Sequence, residues 1–128
     1  MTEADLIATA SALVGEFRTS DDCVAGGVAA AILSRSGQVY TGVCIDTQCG
    51  MGFCAEHAAV AEMLKARESE IALVVAVNAA GIAGAPCGRC RELMWQLNSR
   101  NRDARVIVGP KHVVTLAELL PQPGAGEA

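Results

Sequence analysis

A chain of 128 residues, 52% of them apolar, has the material for one hydrophobic core, and that composition excludes intrinsic disorder. Its net charge of −4 and its few aromatic residues argue against a nucleic-acid polymer as partner, which would need a basic groove and stacking rings. No apolar run approaches the ~20 residues of a membrane span, and the acidic start, Glu3 and Asp5, is unlike a secretory signal, so a cytoplasmic chain with no membrane partner is expected.

Residues 2–18 carry Leu6, Ala10, Leu13, Val14 and Phe17 at helical spacing, with Thr2 placed to cap and acidic residues in the first turn; the pattern predicts an amphipathic helix. Residues 19–22 are a polar break. Apolar residues 28–33 predict a strand, Ser34, Arg35, Ser36 and Gly37 a turn, and residues 38–45 the second strand of a hairpin. A loop holding Gly50 and Gly52 spans 46–53. A helix is predicted over 54–67, with Ala58, Ala59, Met63 and Leu64 facing inward. The unbroken apolar run 71–77 predicts a strand covered on both faces. After a glycine-containing loop at 78–85, Pro86 opens a helix through Leu93, Met94 and Leu97. Residues 105–108 predict a further strand, and 115–120 a short helix or turn. Residues 1–121 then form one domain and 122–128 a mobile tail. A helix, a hairpin and then alternating helices and strands imply an α/β layered sheet of mixed strand direction.

Cys87 and Cys90 have the spacing with which two thiolates hold one zinc ion, and Cys54 offers a third sulfur from another segment. Both segments open predicted helices, where unpaired N–H groups and the macrodipole favour thiolate over thiol. Three ligands leave the fourth position of Zn2+ open for water, whose pKa falls to about 7. Glu56 stands two residues beyond Cys54, placed to shuttle protons. The competing reading is a structural knuckle closed by Cys23, Cys44 or Cys49, which leaves Glu56 without a purpose. Otherwise Cys23 and Cys49 are expected as small buried apolar residues.

Cys54-Ala55-Glu56, a long gap, and then Pro86-Cys87-Gly88-Arg89-Cys90-Arg91 resemble the signature of the small, all-cysteine members of the cytidine deaminase superfamily. The likeness extends over residues 28–121. The Arg89 context and Leu119-Leu120-Pro121 are similar to blasticidin S deaminase within that superfamily. The resemblance implies a cytidine deaminase-like three-layer α/β/α sandwich with a mixed five-stranded central sheet, its fifth strand near residues 111–114. It also implies that the two metal-bearing helix starts face each other, in a homotetramer whose sites are completed by neighbouring subunits. Cys54, Cys87 and Cys90 then hold Zn2+, and Glu56 is the catalytic acid and base. Substrate contacts fall to Cys44, Asp46, Phe53, Ala55 and Ala85. Zinc with three thiolates carries net negative charge, which a hydrogen-bond donor should offset. Arg89 is the first choice for that donor and His57 the second, because cytidine deaminases commonly carry Arg at the His57 position.

On the substrate side the chain departs from this pattern. Gly26 stands where cytidine deaminases usually carry an aromatic residue, and Cys44 and Asp46 stand where they read the ribose with Asn and Glu. Asp46 can still accept from a hydroxyl, but Cys44 cannot replace an amide that both donates and accepts. The aromatic residue that usually follows Leu-Leu-Pro is missing as well. Trp95 is expected in the core or an interface, Arg91 at the surface or an interface, and His112 in solvent. The resulting expectation is a zinc-dependent hydrolytic deaminase of a small cytosine-type nucleoside, cytidine or deoxycytidine by default. Its alternative is blasticidin S or another modified nucleoside, a free base or an aminated heterocycle. A non-catalytic zinc-stabilised module comes last.

Overall fold

Thr2 opens the first helix, α1 (Glu3–Ser11), through a capping box: its hydroxyl accepts from Asp5 N–H at 3.1 Å, and its own N–H donates to Asp5 Oδ2 at 2.8 Å. In this computed structural model, which describes residues 1–124, the helix stops at Ser11 rather than running to residue 18. Gly15 N–H is taken by Gly26 O at 2.8 Å, and Phe17–Ser20 pair as strand β1. Long-range pairing overrides the helical spacing of Leu13, Val14 and Phe17. Of the expected tail, residues 125–128 lie outside the described residues, and Gly124 N–H donates to Glu92. Among the described residues no helix is long and apolar enough to cross a membrane.

β1 pairs antiparallel with β2 (Cys23–Ser34), which also pairs antiparallel with β3 (Val39–Thr47) and β4 (Ile71–Val77). β5 (Arg105–Gly109) runs parallel to β4, and β6 (His112–Thr115) antiparallel to β5. The mixed sheet is therefore present, with β6 at the place expected for a fifth strand and β1 as a sixth. β2 changes neighbours partway along. Residues 23–25 lie between β1 and β3; past an irregularity between Ala25 and Ala29 the strand lies between β3 and β4. Gly26 sits in that irregularity at φ +84°, where a Cβ would meet Gly15 O at 2.4 Å, so both backbone and space demand glycine.

Strand alternation sends Ala30, Ile32 and Val74 to one face of the sheet and Ala31, Leu73 and Val75 to the other. The second face is covered by α1 through Leu6 and Ala10. The first is covered by α2 (Ala55–Lys65), α3 (Gly88–Leu97) and the short α4 (Leu116–Leu119), which bury Ala59, Met63, Met94 and Leu116. Three layers result, and each large side chain buried in them stabilises by about 1.5–3 kcal/mol. Small residues let α2 approach closely: a Cβ on Gly42 of β3 would lie 2.4 Å from Ala59 N. The height and tilt of α2, and so of the thiol at its start, are set by that contact. Leu64, expected inward, is 40% exposed, because the buried stripe is Ala59, Val60 and Met63 and Leu64 falls at its edge.

Trp95 is buried, with the Arg102 guanidinium 5.2 Å above its ring. Arg91 is half-buried rather than lying free on the surface. Its Nε donates to Pro86 O at 2.7 Å and its Nη1 to Leu119 O at 3.0 Å, which ties the start of α3 to α4. His112 is exposed, as expected. Cys49 is exposed in a loop and Cys23 half-buried, so neither is the buried residue expected; Cys44 is buried.

Candidate active site

Two loops that follow strands deliver the cysteines to helix starts. After β3, Ile45 and Phe53 exchange backbone hydrogen bonds at 3.0 Å, which closes the intervening loop and sets Cys54 as the N-cap of α2. After β4, Asn78 Oδ1 accepts from Ala80 N–H at 2.9 Å and Ile82 N–H at 3.1 Å. The chain then returns to place Cys87 as the N-cap of α3 and Cys90 in its first turn. The three Sγ atoms lie within 4.8 Å of one another, with Cys54–Cys87 and Cys87–Cys90 both at 3.4 Å. Two thiolates each about 2.3 Å from one tetrahedral ion would lie about 3.8 Å apart, so the set fits zinc. Among the described residues no fourth His, Cys, Asp or Glu joins this group, which is open rather than a closed knuckle. Cys44 Sγ instead accepts from Val28 N–H at 3.3 Å.

Burial and the Glu56 carboxylate push the Cys90 thiol far above its ordinary range, and burial with the adjacent Cys87 thiol raises Cys54. Burial acts on Cys87 in the same direction, but the N–H groups of Cys90 and Arg89 at the start of α3, with the two other thiols, outweigh it and bring Cys87 down. Glu56 is 5% exposed in the first turn of α2. Burial pushes its carboxyl up, against the lowering effect of its own N–H and the Cys90 thiol. His57 Nδ1 lies 3.3 Å from Cys90 Sγ, and its ring stacks on Phe53 with centroids 5.9 Å apart at 17°. Burial and the nearby Arg89 charge lower its pKa. Arg89, the first choice as thiolate donor, sends Nη1 to Gly52 O at 3.2 Å instead. Of the two candidates, His57 is the one whose ring nitrogen lies beside a ligand sulfur.

A cavity of about 730 Å³ opens over Cys54, Cys87 and Glu56. It takes in all five expected substrate positions, Cys44, Asp46, Phe53, Ala55 and Ala85, together with Arg89; His57 and Cys90 do not line it. One wall was not foreseen: Asn78, Ile82, Ala83 and Gly84 after β4, with Gly27 and Val28 from β2 opposite. The signal for it lay in position along the chain. A loop that ends at a ligand cysteine has to pass beside the ligand's cavity.

A family model described as the cytidine and deoxycytidylate deaminase zinc-binding region matches residues 3–109. The fold is similar to cytidine deaminase from Mycobacterium leprae, at 27% identity and a TM-score of 0.78, over 95% of this chain and 100% of that one. It is similar to cytidine deaminase from Burkholderia pseudomallei, at 26% identity and a TM-score of 0.75, over 96% of this chain and 99% of that one. A mutant cytidine deaminase from Mycobacterium tuberculosis is similar at 25% identity and a TM-score of 0.80, over 98% of this chain and 99% of that one. The stretch matched by the family model contains Cys54, Glu56, Cys87 and Cys90, and on that match the chain belongs to the cytidine and deoxycytidylate deaminase zinc-binding family: it is a zinc-dependent hydrolytic deaminase.

Proposed function

We propose that the enzyme removes the amino group of a cytosine-type nucleoside, leaving a carbonyl and releasing ammonia, with cytidine or deoxycytidine as the default substrate. The observation that carries this reading is Glu56, buried beside a three-thiol group within the same cavity. Cys54, Cys87 and Cys90 would hold the zinc, which when bound supplies Lewis-acid activation of water at neutral pH. Glu56 takes a proton from the attacking water, gives it to the ring nitrogen, and assists the amine as it leaves as ammonia. Phe53 offers an apolar edge to the ring, Ala55 and Ala85 offer main-chain groups, and Asp46 accepts from a sugar hydroxyl. The same reading makes the protein a cytoplasmic homotetramer. Exposed Leu13, Phe17 and Met51 are apolar surface that such an assembly would cover.

A modified nucleoside such as blasticidin S, or a bare aminated ring, is the second reading. Two observations favour it. Gly26 has no room for a stacking side chain, and Cys44 Sγ is already committed to Val28 N–H, with Asp46 Oδ2 3.8 Å away. Ammonia release by the zinc-loaded protein against cytidine, deoxycytidine, blasticidin S, cytosine and aminated purines and triazines decides between them. Turnover of cytidine supports the first reading, and turnover confined to blasticidin S or a bare ring supports the second. Silence across the panel with zinc bound overturns both. A companion variant tests the sugar side. Cys44→Asn restores a group that donates and accepts, and should raise kcat/KM for cytidine by roughly 2- to 10-fold, the worth of one hydrogen bond. Unchanged cytidine kinetics would mean that position 44 does not read the sugar.

A further inference from the structure

Among the described residues that line the cavity, only Thr47 and Asn78 carry a side-chain amide or hydroxyl. The Thr47 hydroxyl is committed, donating to Cys49 O at 2.8 Å. Asn78 is committed at one end only. Its side chain receives two main-chain N–H groups, from Ala80 at 2.9 Å and Ile82 at 3.1 Å. Two donors converging on one atom of an amide fix that atom as the oxygen. Its own N–H donates to Ile82 O at 3.1 Å, and its carbonyl accepts from Gly81 N–H at 2.8 Å. Every polar group of the residue is thus bound within its own turn except Nδ2, whose two N–H groups meet no acceptor among the described residues. The amide cannot rotate without breaking two hydrogen bonds, so the donor is held in place before anything enters the cavity.

The sheet puts this donor in a particular row. Val77 of β4 and Val43 of β3 both pair with Ala29, from opposite sides of β2. The next residues along those antiparallel strands, Asn78 and Cys44, therefore flank Val28, and all three line the cavity. Cys44 is committed on both counts: Sγ accepts from Val28 N–H at 3.3 Å and lies 3.8 Å from Asp46 Oδ2, an acceptor for its proton. The free donor of the row is Asn78. The thiols and Glu56 stand elsewhere, at the starts of α2 and α3, and take the amino-bearing end of a substrate.

We propose that Asn78 is a specificity-determining residue: its Nδ2–H donates to an oxygen on the group attached to the aminated ring. With its oxygen held in the turn, the amide can only donate, so it selects a ring that carries an acceptor, as a sugar does, over a bare ring. The contact is made away from the reacting carbon and is equally strong before and during the reaction, so it acts on binding and not on the chemical step. The inference rests on the deaminase reading for which end of the substrate faces the metal. Its test therefore reads binding without turnover.

The experiment titrates cytidine, blasticidin S and cytosine calorimetrically into the zinc-loaded Glu56→Gln protein, which holds an amino compound without converting it. Two further variants are made in that background. Asn78→Ser keeps a hydroxyl oxygen for the turn and leaves nothing at the place of Nδ2. Asn78→Asp keeps the turn and the volume but presents an acceptor where the donor stood. For the tighter of the two sugar-bearing probes, Kd should rise about 2- to 10-fold in Asn78→Ser and about 10-fold or more in Asn78→Asp. Cytosine binding should stay within about twofold in both, because the bare ring never made the contact. Zinc content should not change. Equal weakening of sugar-bearing probe and cytosine would reduce Asn78 to a turn residue, and an effect confined to Asn78→Asp would be one of charge; either overturns the donor. Binding of cytosine alone, or of none of the three, overturns it as well. If the variants do not fold, the Nδ2 proton signals of Asn78 in the Glu56→Gln protein decide. They should move downfield with the sugar-bearing probe and not with cytosine, and signals that stay in place overturn the contact. Binding that behaves as expected, in a protein whose parent form deaminates nothing, would leave Asn78 standing and the substrate reading fallen.

Discussion

Glu56→Gln leaves the fold and the zinc in place and lowers turnover by about 10²- to 10⁴-fold, the usual worth of a positioned acid and base. The substitution is near isosteric, and the side chain, in the first turn of α2, is 5% exposed, so an amide of the same volume keeps its packing. An amide still fills that volume. It cannot take a proton from water or return one to a ring nitrogen, so the loss falls on the chemical step. The set of sulfur ligands does not include Glu56, and metal content should stay at the parent level. Ammonia release, zinc content and far-ultraviolet circular dichroism on the same preparation check this. Substantial turnover at full zinc content would remove Glu56 from its proposed role.

Cys87→Ala should empty the metal site and lower stability through the metal alone. The reasoning turns on burial. Cys87 is exposed while Cys90 is fully buried, so replacing Cys87 sacrifices little packing, whereas Cys90→Ala would mix metal loss with a core defect. A ligand that binds only the folded state stabilises by about 4 kcal/mol when its free concentration is 1,000 times Kd. The parent protein should therefore melt at a temperature that rises with added zinc and falls with a chelator. The Cys87→Ala protein should melt at the chelated parent's temperature and ignore added zinc. Full zinc occupancy in that variant would sink the assignment of Cys87 as a ligand.

The site was more legible than the fold around it, for a physical reason. Zinc chemistry specifies residue types at short spacings, and Cys54 with Glu56, and Cys87 with Cys90, each sit within a turn of a helix start, so local sequence almost settles the placement within each pair. Strands 71–77 and 105–108 were equally plain because 71–77 and 106–108 are unbroken β-branched or apolar runs. The end of α1 was not. Leu13, Val14 and Phe17 continue a helical spacing, and what stops the helix is a partner in β2, a long-range fact. The same holds for the choice between Arg89 and His57. Both are in the right segments, and only the course of the 46–53 loop decides that Arg89 reaches Gly52 while His57 reaches a sulfur. The wall at Asn78 and Ile82 is composed of residues with no chemical signature at all. Cys49 was misjudged because cysteine is usually buried, and nothing local reports that this one is carried on an exposed loop.

Gly26 bears on how the pocket could be redesigned. Its positive φ and the carbonyl of Gly15, 2.4 Å from where a Cβ would stand, leave position 26 no space for a side chain of any kind. Exchanging one codon cannot deliver an aromatic side chain there; the added atoms would collide with the carbonyl of Gly15, whose own N–H is bonded to Gly26 O. A graft would have to carry the whole connection from the end of α1 into the first residues of β2, so that the new side chain arrives with a backbone shaped to hold it. Position 26 lies outside the residues that line the cavity, and what can stand there is written in the path of the polypeptide rather than in the cavity wall.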